Sequence, residues 1–243
     1  MSGWKVRRFW ISAEAVADRD GWGVRLDGRP VRTPARAPLR LPTRPLAEAI
    51  AAEWNAQQGD IDPLSMPLTR SANAAIDKVV PQFAEVAGLI AAYGETDLCC
   101  YRAEGPRSLV VLQAQAWDPL LAWIGETHGI RLVRTAGIVP IPQPEASLTA
   151  LRGLLDRMDA FALTALHDLV ALSGSLVIGL AAAAELMPAE ELWARSRIDE
   201  DWQESQWGAD EEATAQALLK RGAFLHASRF HRLSRKPPET PAR

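Results

Sequence analysis

From Leu169 to Ala184 the chain carries no charge over sixteen residues, and Leu, Val, Ile and Ala make up most of them. An apolar run of that length has to be taken out of water on every side, so it demands enough other structure to sheath it. It falls short of the roughly 20 residues that span a bilayer and is rich in Ala, Gly and Ser. It therefore reads as a buried helix over 173–186 with Ser173 as its N-cap, and no membrane insertion is expected. The 243 residues, 48% hydrophobic and 23% charged, supply such a sheath in one large domain or two modest ones.

The opening third carries strand and turn signals. Trp22 to Leu26 alternates in character, Asp27-Gly28 is a two-residue hairpin signal, and Arg29 to Thr33 is the expected return strand. Pro34, Pro38 and Pro42 bracket Leu39-Arg40-Leu41, a short edge strand by this reading. Thr43 then caps a helix whose Leu46, Ile50 and Trp54 form one apolar stripe and which Gly59 stops. Helical segments are predicted over 70–79 and 81–93, with Pro81 opening the second, and over 108–128, 145–158, 160–171, 188–207 and 209–220. Ile130 to Val139 reads as an extended piece, and Lys236-Pro237-Pro238 opens a frayed basic tail. The expected fold class is α+β: a small N-terminal β-rich α+β domain over 1–80, then a larger all-helical domain over 81–243.

Charge is spread unevenly. Residues 1–44 carry ten Lys or Arg against four Asp or Glu, residues 220–243 carry seven against one, and the stretch between is strongly acidic. With a net charge of −3 there is no overall attraction to nucleic acid, and none is expected as a partner. No Gly-x-x-x-x-Gly-Lys-Ser/Thr loop is present, and Gly21-x-Gly23 lacks the third glycine of a dinucleotide fingerprint. His128, His167, His226 and His231 have no metal-ligand spacing, and Ser173-Gly174-Ser175 is not a nucleophile elbow. Cys99 and Cys100 are adjacent, which suits burial in a reducing compartment better than a structural disulfide. The start of the chain lacks the apolar stretch of a secretory signal, so a cytoplasmic location is expected. No catalytic residue, cofactor or metal is expected.

Nine tryptophans are an unusual number, and several stand beside charges. On a continuous helix over 188–207, Trp193, Glu200 and Trp207 are spaced by seven and share one line with Gln203 nearby, while Ile198 and Trp202 take the opposite side. A carboxylate between indoles suits a binding hot spot. It equally suits an internal ion pair in a helix sandwiched between neighbours.

The motif series resembles a known family, the F1-ATPase assembly chaperones of mitochondria and alphaproteobacteria. The residues that carry the resemblance are Leu26-Asp27-Gly28-Arg29-Pro30-Val31-Arg32-Thr33-Pro34, the run Leu46 to Trp54, Pro67-Leu68-Thr69-Arg70 with Ala72-Asn73 and Ala75-Ile76-Asp77, Thr96-Asp97-Leu98, Trp117-Asp118-Pro119, and Gln203 with Trp207-Gly208. Ser71, Ala74 and Cys99 depart from the usual family residues. The resemblance implies a chaperone, not an enzyme, that binds the free F1 α subunit and shields its β-facing surface until β replaces it. It also implies a critical glutamate in the acidic helical region, for which Glu200 is the best match and Glu211 the second. With Trp193, Gln203, Trp207 and Trp54 these are the expected partner-binding residues of a protein that is monomeric when free. Arginine outnumbers lysine 23 to 4, which suits a GC-rich bacterial member. A helical scaffold for another protein and a carboxylate-dependent hydrolase are the rival readings.

Overall fold

The structure is a computed structural model and describes residues 7–137 and 139–236; all but Lys236 of the frayed tail expected to open at Lys236-Pro237-Pro238 lies outside the described residues. Two compact units are present, one drawn from Met1–Gln82, Ala160–Thr164 and Arg229–Arg243, the other from Phe83–Asp159 and Ala165–Ser228.

The first unit is built on an antiparallel sheet in the order β1 (Ala13–Asp18), β2 (Gly21–Leu26), β3 (Arg29–Pro30). Asp27 and Gly28 both take positive φ, 46° and 82°, the conformation of the two-residue turn that their sequence demands. The return strand is shorter than expected, because Pro30 has no N–H with which to extend the ladder. Leu39 to Leu41 forms no strand of its own; Leu41 exchanges backbone hydrogen bonds with Trp22 at 2.9 and 2.7 Å and closes the edge. Helix α1 (Arg44–Asn55) begins as the sequence indicates, with the Thr43 hydroxyl accepting from the Leu46 N–H and itself donating to the Leu233 carbonyl. Its Leu46 and Ile50 are fully buried, and the helix packs on β1 and β2. It ends before Gly59, because Arg8 donates to the carbonyls of Asn55 and Gln57 at 2.9 and 2.7 Å and the Asn55 amide exchanges hydrogen bonds with Ala13.

Glu53 projects from α1 to the start of α2 (Pro67–Ala74). Its carboxylate accepts from the N–H groups of Leu68 and Thr69 and from the Thr69 hydroxyl, all at 2.7–2.8 Å. A helix start that would otherwise leave its first N–H groups orphaned is thereby capped from another helix. Beyond Ala74 the helix widens into a π turn, Ala75–Val79, and Pro81 sits in the turn that follows it. The expected helix start at Pro81 moves to Phe83, because Pro81 lies in the turn that follows the π segment.

The second unit is helical. Its elements are α3 (Phe83–Ala92), α4 (Arg107–His128), α5 (Glu145–Leu155), most of α6 (Ala160–Ser173), α7 (Leu176–Ala183), α8 (Ala189–Ser196), α9 (Ile198–Trp207) and most of α10 (Glu211–Ser234). The extended piece read near Ile130 supplies β5 (Thr135–Ala136), which pairs in parallel with β4 (Tyr101–Arg102). All eight residues of α7 are buried, as the charge-free run requires. Its N-cap is Ser175, not Ser173: α6 continues to Ser173, whose hydroxyl donates back to the Leu169 carbonyl, and Ser175 accepts from the Ile178 N–H at 3.0 Å. Gly179 lets α7 approach α6 closely, since a Cβ there would lie 2.5 Å from Val170.

A buried carboxylate fixes the start of α7. Asp97, fully inaccessible, accepts from the Ser175 hydroxyl at 2.7 Å, the Val177 N–H at 3.0 Å and the Cys99 N–H at 2.9 Å. Burial raises its pKa above the ordinary aspartate value and outweighs the hydrogen bonds from Val177, Ser175 and Cys99 that act the other way. Asp97→Ala leaves three buried donors without an acceptor and is expected to cost about 3–5 kcal/mol in urea denaturation. Because the native pKa is raised, the contribution of Asp97 titration to stability is complete below the unfolded value and is lost as pH rises through the native one. Wild type minus Asp97→Asn, measured across pH, is expected to fall in that direction and then level off.

Candidate partner-binding surface

The helix expected over 188–207 is two helices. Arg197, at φ −109° and ψ 7°, separates α8 from α9. A continuous helix would direct the residue 199 N–H to the Arg195 carbonyl, but that carbonyl accepts from the Trp117 indole at 2.8 Å, while the Arg195 guanidinium donates to the Ala116 carbonyl at 2.7 Å. The line through Trp193, Glu200 and Trp207 is therefore broken. Trp193 on α8 is buried against Phe224, with ring centroids 5.7 Å apart. The Arg197 guanidinium lies over its indole at 5.9 Å and donates to the Glu200 carboxylate at 2.7 Å. Glu200 is thus not between two aromatic faces; it is half-buried and sits on a guanidinium that itself rests on an indole.

Helix α9 has no buried residue and holds Asp199, Glu200, Asp201 and Glu204 without a single base. Trp207 closes it at 80% exposure, and Gln203 is exposed. The acidic run continues through Asp210, Glu211 and Glu212 into α10, where Asp210 accepts from the Ala213 N–H at 2.8 Å and starts the helix. Residues 211–223 are exposed apart from half-buried Thr214 and Ala217, and they include Leu218 and Leu219 at 63% and 69% exposure. The helix predicted over 209–220 is longer than its own pattern shows because Phe224, Ala227 and Phe230 anchor its second half in buried surroundings.

On its other side α9 faces α4 across an open cleft of about 540 Å³. Leu112, Ala116, Ile198 and Trp202 form its apolar walls, with Asp201 and Arg195 among its polar groups. The helical spacing of the sequence places Ile198 and Trp202 on the face opposite Trp193 and Glu200, and it gives Leu112 and Ala116 no site role. The signal was the shared i, i+4 spacing of Leu112 with Ala116 and of Ile198 with Trp202.

Trp54 lies in the first unit, half-buried and edge-on to Trp10 at 5.1 Å. Both cysteines are buried, and burial raises both thiols, Cys100 to about 12, so neither presents a thiolate at neutral pH. Among the described residues no three His, Cys, Asp or Glu side chains converge as a metal site, and no helix is long and apolar enough to cross a membrane.

This architecture has known counterparts. The family model of the ATP12 chaperone protein matches residues 7–125. The crystal structure of Atp12 from Paracoccus denitrificans is 51% identical and superposes with a TM-score of 0.93 over 96% of this chain and 100% of that one. The chain belongs to the ATP12 chaperone family. An aspartate-to-lysine mutant of the same P. denitrificans protein matches at 50% identity and a TM-score of 0.94, again over 96% of this chain and all of that one. A putative chaperone from Agrobacterium tumefaciens matches at 36% identity and a TM-score of 0.87, over 94% of this chain and 85% of that one. The mitochondrial atp12 protein of Schizosaccharomyces pombe is 23% identical over 221 residues, covering 85% of this chain and 75% of that protein. These are the F1-ATPase assembly chaperones that the motifs resemble, and the α+β fold with its larger helical part is the one expected of an ATP12 chaperone.

The Arg197–Glu200 pair has a direct stability readout. Glu200 is half exposed, so Glu200→Gln is expected to cost about 1 kcal/mol or less in urea denaturation. Glu200→Lys sets an ammonium beside the Arg197 guanidinium and is expected to cost more than Glu200→Gln in the same measurement.

Proposed function

We propose that this protein is a chaperone of ATP synthase F1 assembly that binds the free α subunit and covers the surface α later presents to β. Family membership supports the assembly role. The observation that carries the docking surface is Trp207, exposed at the end of a helix with four carboxylates and no base. An aromatic ring that meets water inside a charged rim is the composition of an interface hot spot. In this reading Trp207, Gln203 and Glu211 touch the client directly. Glu200 presents its carboxylate from the Arg197 guanidinium, and buried Trp193 acts as a positioning residue beneath that guanidinium. Trp54 serves the client from the first unit.

A subunit awaiting its partner exposes an apolar surface that aggregates, and covering that surface reversibly requires neither catalysis nor a cofactor. The protein works as a monomer in a bacterial cytoplasm, on α alone. Assembled α3β3, whose surface is already occupied, is not a client.

Light scattering of isolated α subunit with and without this protein tests the reading. Equimolar protein is expected to keep α in solution, and Trp207→Ala is expected to weaken the complex by about 2 kcal/mol, roughly 30-fold, without moving the melting temperature. Equal precipitation of α in both samples overturns the proposal.

A further inference from the structure

The cleft between α4 and α9 is not accounted for by the surface that carries Trp207. Its apolar walls are set at helical spacing on both sides, Leu112 with Ala116 and Ile198 with Trp202, and Ser205 continues the α9 side one turn further. Such a trough between two helices accepts a third helix laid along it, reading anchors at i, i+3, i+4 and i+7.

Charge selects which helix. Asp199 is committed to the Gln113 amide at 2.6 Å and Glu200 to Arg197. Arg195 is committed to Glu191 and to the Ala116 carbonyl, each at 2.7 Å. Asp201, which lines the cleft, and Glu204, on the same helix, form no ion pair with a cation among the described residues. Partial burial raises the pKa of Asp201 despite Arg197 nearby, so its charge is held at a cost that a new cation offsets. An acidic visitor would meet two uncompensated carboxylates, and a neutral apolar one would bury Asp201 without a partner.

We propose that this cleft receives a basic amphipathic helix of a partner protein, its apolar side chains between Leu112, Ala116, Ile198 and Trp202 and its lysines or arginines against Asp201 and Glu204. The inference rests on the chaperone reading above only for the identity of that partner. Docking there joins an apolar anchor to solvated charge pairs, so affinity falls as salt is added.

A synthetic helical peptide with leucines at i, i+3, i+4 and i+7 and lysines on its other face is the probe, titrated into the full chain by calorimetry. Wild type is expected to bind it, more weakly at high salt, and not to bind the same peptide with glutamates in place of the lysines. Ser205→Trp fills the trough from an exposed position and is expected to lower affinity at least about tenfold with an unchanged melting temperature. Asp201→Lys is expected to lower affinity and flatten the salt dependence. Absence of binding to wild type, or undiminished binding to Ser205→Trp, overturns the cleft assignment. Peptide binding that Ser205→Trp abolishes, with isolated α aggregating equally with and without the protein, leaves the cleft standing and overturns α as client. Isolated α kept equally soluble by wild type and Ser205→Trp supports α as client and overturns the cleft as its docking groove.

Discussion

The helical unit depends on the meeting of Asp97 with the start of α7. A helix buried on all sides has nowhere to send its first N–H groups, because no water reaches them. Ser175 satisfies the Ile178 N–H and Asp97 the Val177 N–H, and Asp97 also fixes the turn at Cys99. These contacts tie Thr96-Asp97-Leu98 to a position some eighty residues later in the chain, a tie that no local propensity supplies. The balance of effects is informative. Burial raises the Asp97 pKa even though three donors point at it, so ionising the carboxylate there costs stability. What it fixes is arrangement: α7 can begin only where these donors and this acceptor coincide, and α4 and α8 pack on α7 in turn.

The same device recurs in the other unit, where Glu53 caps α2 through Leu68 and Thr69. Glu53, Thr69 and Asp97 all belong to the stretches that carry the family resemblance. Their roles are those of side chains holding helix starts together, which separates two kinds of motif residue. Carboxylates engaged by backbone N–H and hydroxyl donors at helix starts hold the fold. On α9, Asp199 and Glu200 are held by Gln113 and Arg197, while Asp201 and Glu204 form no ion pair with a cation among the described residues.

This division also governs how much the sequence could reveal. The Asp27-Gly28 turn, the Thr43 cap and the Leu46–Ile50 stripe are legible because every interaction that decides them lies within a few residues. Strand β1, Ala-Glu-Ala-Val-Ala-Asp, is invisible to strand propensity and exists because β2 pairs with it along its whole length. The break at Arg197 was equally hidden, since neither glycine nor proline marks it. An indole far back in the chain, Trp117, takes the carbonyl that a continuous helix would have used. The site suffered most from that one bond. Seven-residue spacing aligned Trp193 with Glu200 only on an unbroken helix, and with the break Trp193 joins the core while Ile198 and Trp202 turn to the cleft. The acidic character of the segment and the exposure of Trp207 survive, because composition does not depend on where a helix stops.

The break also sets the electrostatics of the surface. With α8 ending at Ser196, Arg197 is free to leave the helical path, lie on the Trp193 face and meet Glu200 from below. The Arg197 charge is thereby spent inside the protein, and the helix presents carboxylates outward with no base of its own. A surface of this kind attracts a basic partner from a distance, yet its exposed charge pairs contribute little to final affinity, and what strength there is comes from a few apolar anchors. Fast capture with modest holding strength suits the proposed role, in which a permanent subunit displaces the chaperone. Moving the Arg197 charge outward would remove that asymmetry even if every contact of Trp207 were kept.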